Sequence, residues 1–411
     1  MRLLLSTIIL FAASAALVRA DDWPAWRGPT GQGYCAEKNL PVKWSGKDNV
    51  NIKWRIKLAH PGYSTPIVWK DKIFLTMANE GGKVRSLYCL DRADGKQLWK
   101  ADVEHAAKEQ TWANYPYCHA SPVTDGERVV VSFGSAGMHC YDLDGKPLWK
   151  RIDLGVWQHQ FGNSSSPVLH EDLCYMWCGP NAGKGRNFLL AVDKKTGKTV
   201  WEHNEKTGSW GTPIITKIDG LENLVLGMGA HLKGFDPKTG KELWLCEGLT
   251  SYVYTSPVVS NGYAIAMSGY GGAGIGIKLG GSGNITKDGQ LWRHPSNAQR
   301  VGSGIIIGEH VYIMEDPGTP KCFELATGKE VWLVKERPST RNWGSMVHAD
   351  GKLYVMDRDA RTFIFAASPK YELLAANNLG KGESTNSSVV ISNGEIFLRT
   401  SQSLWCISDK K

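Results

Sequence analysis

The chain is expected to be all-β: an eight-bladed β-propeller of four-stranded antiparallel blades, closed by pairing of its N- and C-terminal strands. Three observations carry this. One hairpin design recurs, at CLDRADGKQLW (89–99), CYDLDGKPLW (140–149), AVDKKTGKTVW (191–201), GFDPKTGKELW (234–244) and CFELATGKEVW (322–332), with a weaker copy in KDGQLW (287–292). A second marker, Ser or Thr followed by Pro, opens an apolar strand at residues 65, 121, 166, 212 and 256, with degenerate forms at 303, 345 and 388. Its period, about 46 residues, lies in the range of propellers and solenoids. The third is a pair of leftovers: residues 51–58 form a lone strand, and the last repeat, from 387 to 409, stops after three.

Each hairpin has a physical rationale. In AVDKKTGKTVW an apolar strand meets a polar turn and leaves through a short strand ending on Trp201. Gly197 suits the left-handed position that closes such a turn, and Asp193 can bond the backbone ahead of it. A marker-led strand, a turn, a second strand, a variable loop and this hairpin make four short strands, one blade. The lone strand completes the unfinished last blade, which closes the ring and removes free sheet edges. Residues 344–376 form the weakest blade, since FIFAASPKYELLAA carries no Trp.

Taken in order, residues 1–20 are expected to be a signal peptide: Arg2, an apolar run to Leu17, then small residues before cleavage after Ala20. No Cys directly follows the run, so a lipoprotein anchor is not expected, and no second run is long enough to span a bilayer. The mature protein is expected to be exported, periplasmic or extracellular, and monomeric. Residues 21–50, with WPAWRGP (23–29), form an irregular lead-in expected to be pinned against the surface of the propeller, which occupies 51–411. The formal charge of +8 is spread through the repeated turns, which argues against a nucleic-acid patch. Nine cysteines leave at least one unpaired within the chain. Cys89, Cys140, Cys322 and Cys406 share one position, in the strand before the turn, where Ala191 and Gly234 stand in other copies; a small buried residue is expected there. Cys174 and Cys178 fall about 13 Å apart along one strand face, too far for a disulfide, and read as core. The run GYGGAGIGIKLGGSG (269–283) has neither a following helix nor a Lys-Ser/Thr, so it is expected to be a distorted strand pair rather than a phosphate loop.

The pattern A-x-D-x-x-T-G-K-x-x-W, complete at Ala191, Asp193, Thr196, Gly197, Lys198 and Trp201, resembles the tryptophan-docking motif of PQQ-like repeat (quinoprotein-like) propellers. The resemblance extends over nearly all of the mature chain, and its size is similar to that of BamB-like secreted members. It implies that Trp54, Trp99, Trp149, Trp201, Trp244, Trp292 and Trp332 dock neighbouring blades. It also implies two sorts of function. Quinoprotein dehydrogenases hold PQQ and Ca²⁺ at the channel mouth and oxidise alcohols or sugars; BamB-like members lack the cofactor and serve as docking surfaces. The present chain has no Cys-Cys pair, no haem-attachment motif and no long inter-blade excursions.

In a propeller the loops before the inner strands gather at one channel mouth. Here they carry Tyr117, His119, His159, Asn163, Trp210, Tyr254, Arg300, Arg341, Asn342 and Trp343, and only one acid, Glu383. Such side chains suit a sugar, a flat ring or a peptide better than Ca²⁺, which takes several oxygen ligands. No catalytic or metal-ligating constellation stands out. The expected function is therefore an exported, non-catalytic scaffold that binds a protein or peptide partner, a small molecule or a glycan, with no cofactor. The alternatives are a PQQ- and Ca²⁺-dependent dehydrogenase of alcohols or sugars and a glycan-binding propeller.

Overall fold

The computed structural model describes residues 22–107, 109–110, 117–181, 185–297 and 301–409. The expected signal peptide lies outside them. The described chain folds into eight sheets of four antiparallel strands, one with a parallel fifth; all but the last follow sequence order from an inner to an outer strand. The first comprises Ile67–Trp69, Lys72–Asn79, Val84–Asp91 and Gln97–Glu104. The last takes Val390–Ser392, Glu395–Arg399 and Ser403–Ile407, and its outer strand is Ile52–Lys57. The closing register runs from Ile52 opposite Ile407 to Lys57 opposite Ser403. The weak seventh repeat forms a complete blade, ending in Leu373–Asn378.

Apolar side chains gather between blades rather than inside them. One core cluster joins Ile67, Phe74 and Cys89 of the first blade to Val129, Val131 and Phe133 of the second. This packing explains the hairpin. The small residue of the third strand lies directly opposite the Trp: Cys89 with Trp99, Cys140 with Trp149, Ala191 with Trp201, Gly234 with Trp244, Gly276 with Trp292 and Cys322 with Trp332. A Cβ on Gly234 would meet the Trp244 ring at 2.2 Å. At each of these places the register slips by one residue, a bulge that turns the ring out of its own sheet. Five of the six skipped residues are exposed apolar ones, Leu98, Leu148, Val200, Leu291 and Val331; the sixth, Leu243, packs against a core cluster. The indole then reaches the next blade's turn. Trp54, Trp99, Trp149, Trp201 and Trp292 donate to Arg92, Leu143, Lys194, Pro237 and Leu325 carbonyls at 2.8–3.1 Å.

Three junctions differ; at one of them the seventh blade's outer strand, Leu373–Asn378, carries no Trp. Trp244 donates instead to Asn223 Oδ1 of its own blade; after its third strand the fifth blade lacks the Gly-Lys turn of the other hairpins. Trp332 faces a blade without that turn and packs edge-on against Tyr371.

The glycine-rich run is not the strand pair that was expected. Gly274–Lys278 is the third strand of the fifth blade, but Gly283–Asn284 crosses to the fourth, adding a parallel fifth strand beside Trp244 and Leu245. A short helix, Thr286–Gly289, then returns to the fifth blade. All nine cysteines are free, and all but Cys35 are buried. Burial raises the Cys89 and Cys140 thiols to about 12, so they are inert packing groups.

The first half of the lead-in is also placed differently. Residues 23–35 cross the channel, while residues 42–46 lie against the seventh blade's outer strand, bonding Asn377 and Asn378. Trp23 bridges Val68 of the first blade, and Pro24 accepts from Thr124 of the second. Gln32 then accepts from Val259 of the fifth, while Gly33 and Cys35 bond both backbone groups of His348 in the seventh. Arg27 is fully buried between, donating to Gly304 and Met346 carbonyls at 2.6 and 3.3 Å. Gly33 must be glycine: φ is +86° and a Cβ would lie 2.6 Å from the Met346 oxygen. Apolar Trp23 and a guanidinium whose carbonyl acceptors come from two blades give this segment a reason to enter the ring.

Candidate functional site

The Ser/Thr markers build the channel wall. The Ser166 hydroxyl accepts the N–H of Ser121, and the pattern steps round the ring through Thr212, Ser256, Ser303, Ser345 and Ser388 to Thr65, each link 2.7–3.0 Å. At the eighth junction Tyr63 and Ser64 N–H groups donate to the Cys118 carbonyl. Inner-strand N–H groups that face a neighbouring blade need acceptors, and a side-chain hydroxyl supplies one at each step. The following Pro has no N–H to satisfy.

Above this ring lies a chamber of about 290 Å³, lined by ring residues, by the mouth loops and by Trp26 of the lead-in. The inner strands run away from the mouth and the lead-in bonds beyond their first residues, so Trp26 forms the floor of a blind pocket. One wall is aromatic: Phe161, Trp210, Tyr254 and Tyr270, with Trp210 and Tyr254 centroids 4.6 Å apart. Tyr63 and His119 stack face to face at 6.0 Å. Opposite stand Arg341, Trp343 and Asn386. Arg358 lies over the Trp343 ring at 4.3 Å.

Of the residues expected at the mouth, His119, Trp210, Tyr254, Arg341 and Trp343 line the chamber. His159 lies behind it, its ring edge-on to Trp210 at 4.8 Å. Asn342 is buried and donates to Gly344. Asn163 packs against Gly134. Tyr117 points away: it donates to the Glu109 carbonyl and sits under Arg85, whose carboxylate partner Glu109 is also buried. Arg300 lies outside the described residues. Tyr63, Phe161, Tyr270, Asn386 and Trp26 were not singled out from the sequence, although all but Trp26 and Tyr270 lie in or beside the same loops.

Four acids of this end are engaged elsewhere. Glu383 is buried against Arg55, Ser403 and Thr400. Asp357 binds Ser339 and Arg361, Asp359 binds Thr340, and Asp316 accepts from Trp343. Among the described residues no carboxylate lines the chamber, and Arg341 is its one charged side chain. Burial lowers the His119 pKa to about 4, so the ring is neutral at physiological pH.

A family model described as outer membrane protein assembly factor BamB matches residues 84–334 and 185–411. The chain belongs to the PQQ-like propeller family. Its relatives include a quinoprotein ethanol dehydrogenase of Pseudomonas putida, 41% identical over 90 residues, 21% of this chain and 14% of the relative. The quinohemoprotein alcohol dehydrogenase ADH-IIG of the same organism is 22% identical over 357 residues, 79% of this chain and 40% of the relative. The chain thus spans well under half the length of these relatives. Among solved structures, BamB from Moraxella catarrhalis aligns at TM-score 0.57 with 14% identity, over 87% of this chain and 96% of that one. A europium-containing methanol dehydrogenase aligns at 0.69 with 10% identity, over 95% and 98%. At such identities the structural likeness shows the fold alone. Among the described residues no helix is long and apolar enough to cross a membrane.

Proposed function

We propose that the chain is an exported, non-catalytic binding propeller of the periplasm or cell exterior, and that the blind chamber at its channel mouth takes the ligand or the partner's side chain. The observation that carries this is the composition of the chamber: stacked aromatic rings, one guanidinium and no carboxylate, closed below by Trp26. Aromatic walls with a few convergent polar groups are the usual make-up of a small-ligand pocket. An extended scaffold face remains available on the blades around it, as in a BamB-like docking subunit.

The dehydrogenase relatives favour a second reading, in which PQQ and Ca²⁺ occupy the mouth. The donor set does not fit it. A Ca²⁺ ion takes six to eight oxygen ligands, usually with carboxylates among them; here the nearby acids are committed to Arg55, Arg361 and hydroxyl partners. The test is to incubate the purified protein with PQQ and Ca²⁺, dialyse, and record quinone absorbance and dye-linked oxidation of alcohols and aldoses. No retained quinone is expected. Stoichiometric uptake with turnover would replace this reading with the dehydrogenase.

A further inference from the structure

Resting on the chamber as a binding site, we propose that the waist of the channel is an anion subsite, and that the ligand is a small acidic sugar whose carboxylate it holds. The argument starts from the hydroxyl ring. Thr65, Ser166, Thr212, Ser256, Ser345 and Ser388 are all buried and all line the chamber. Each oxygen accepts a backbone N–H of the preceding blade at 2.7–3.0 Å. A lone pair therefore faces the N–H, and the hydroxyl proton is turned elsewhere. Among the described residues none of these protons has a protein acceptor. Because the six residues line the chamber, their hydroxyl protons surround one lumen and are available to a ligand there.

The charge of the chamber selects what fills it. Arg341 contributes the one formal charge of the lining, and neutral His119 adds none. With low-dielectric aromatic walls, a lone guanidinium biases the space towards anions. A carboxylate offers only acceptor sites, which suits a ring of hydroxyl protons turned away from the N–H groups their oxygens accept from. The body of the ligand is set by the walls and by size. Trp26 below and Tyr254 beside it put aromatic rings in the lining, and a volume of about 290 Å³ is at the small end for ligand pockets. A single sugar ring with its C–H face on an aromatic ring, and its carboxylate at the waist, meets each demand.

The test is calorimetric titration of the purified protein with galacturonate and glucuronate, and with neutral galactose and glucose at matched ionic strength. At least one uronate is expected to bind about tenfold or more tightly than its neutral counterpart. Arg341→Met is expected to weaken it about tenfold, and Ser256→Ala several-fold, with Ser256→Thr retaining binding because it restores the hydroxyl. Thermal midpoints of the variants separate loss of binding from loss of fold. Equal binding of acidic and neutral sugars overturns the anion subsite while keeping the chamber. Uronate binding unchanged in both Arg341→Met and Ser256→Ala overturns it by placing the sugar elsewhere. No binding of any of the four also overturns it, whereas failure of the underlying chamber reading shows separately, as quinone uptake.

Discussion

The outer rim and the channel mouth are built from the same repeats and obey opposite rules. At the rim the copies agree: a small residue under a Trp, a bulge, and an indole N–H on the next blade's turn at five junctions. At the mouth they disagree: Tyr63, Phe161, Trp210, Tyr254, Arg341 and Asn386 occupy related loop positions in different blades. Repetition marks what every blade needs in order to pack, and divergence marks what the molecule needs only once. The hydroxyl ring lies between them, repeated like the rim yet facing the site.

The largest expected effect is at the rim. Trp201→Ala removes a ring buried between blades together with its bond to Pro237, and should cost about 3–5 kcal/mol in denaturant unfolding. Trp332→Ala should cost less, because that indole N–H has no protein acceptor; equal losses would remove the turn contact from the account. Next comes Arg27→Met, which leaves Gly304 and Met346 carbonyls without their donor and should cost about 2–3 kcal/mol. A change within about 0.5 kcal/mol, typical of surface substitutions, would return the lead-in to the outside of the molecule.

Gly197→Ala sharpens the same contrast. Its φ is +71° and a Cβ would approach the Trp149 ring at 2.7 Å, whereas Gly220, at φ +80°, has open space. Both substitutions meet the left-handed penalty, so the excess cost of Gly197→Ala, about 1–2 kcal/mol, reports the packed ring.

The effect that appears only in acid is at the mouth. Desolvation holds the folded His119 at about 4, below its ordinary 6.5. Its contribution is fully present above pH 6.5 and is lost as pH falls towards 4, where the unfolded chain takes up the proton first. His119→Phe should therefore make stability fall less steeply across that window, read from unfolding at stepped pH.

The fold was legible because the hairpin and the Ser/Thr-Pro marker repeat, and because the end strands, 51–58 and 387–409, complete each other. The position shared by Cys89, Cys140, Ala191 and Gly234 was legible as small and buried; that it lies beneath the Trp needed the register. The hydroxyl ring was visible only as a marker, since sequence spacing does not say that one blade's hydroxyl meets the next blade's N–H. Trp26 escaped notice at the site because its approach depends on a segment threading the channel, and no local pattern encodes that path. Tyr117 and Asn342 were placed at the mouth by position alone. Buried partners, Glu109 for the loop around Tyr117 and Gly344 for Asn342, decided their direction.

The central claim is that rim and mouth divide stability from binding. Its most direct test is the thermal midpoint of Trp201→Ala set beside that of a double variant, Arg341→Met with Tyr270→Ala, two exposed residues of the chamber wall. The rim variant should melt lower by about 5 °C or more, and the double variant within about 2 °C of the parent. The opposite order would contradict the claim.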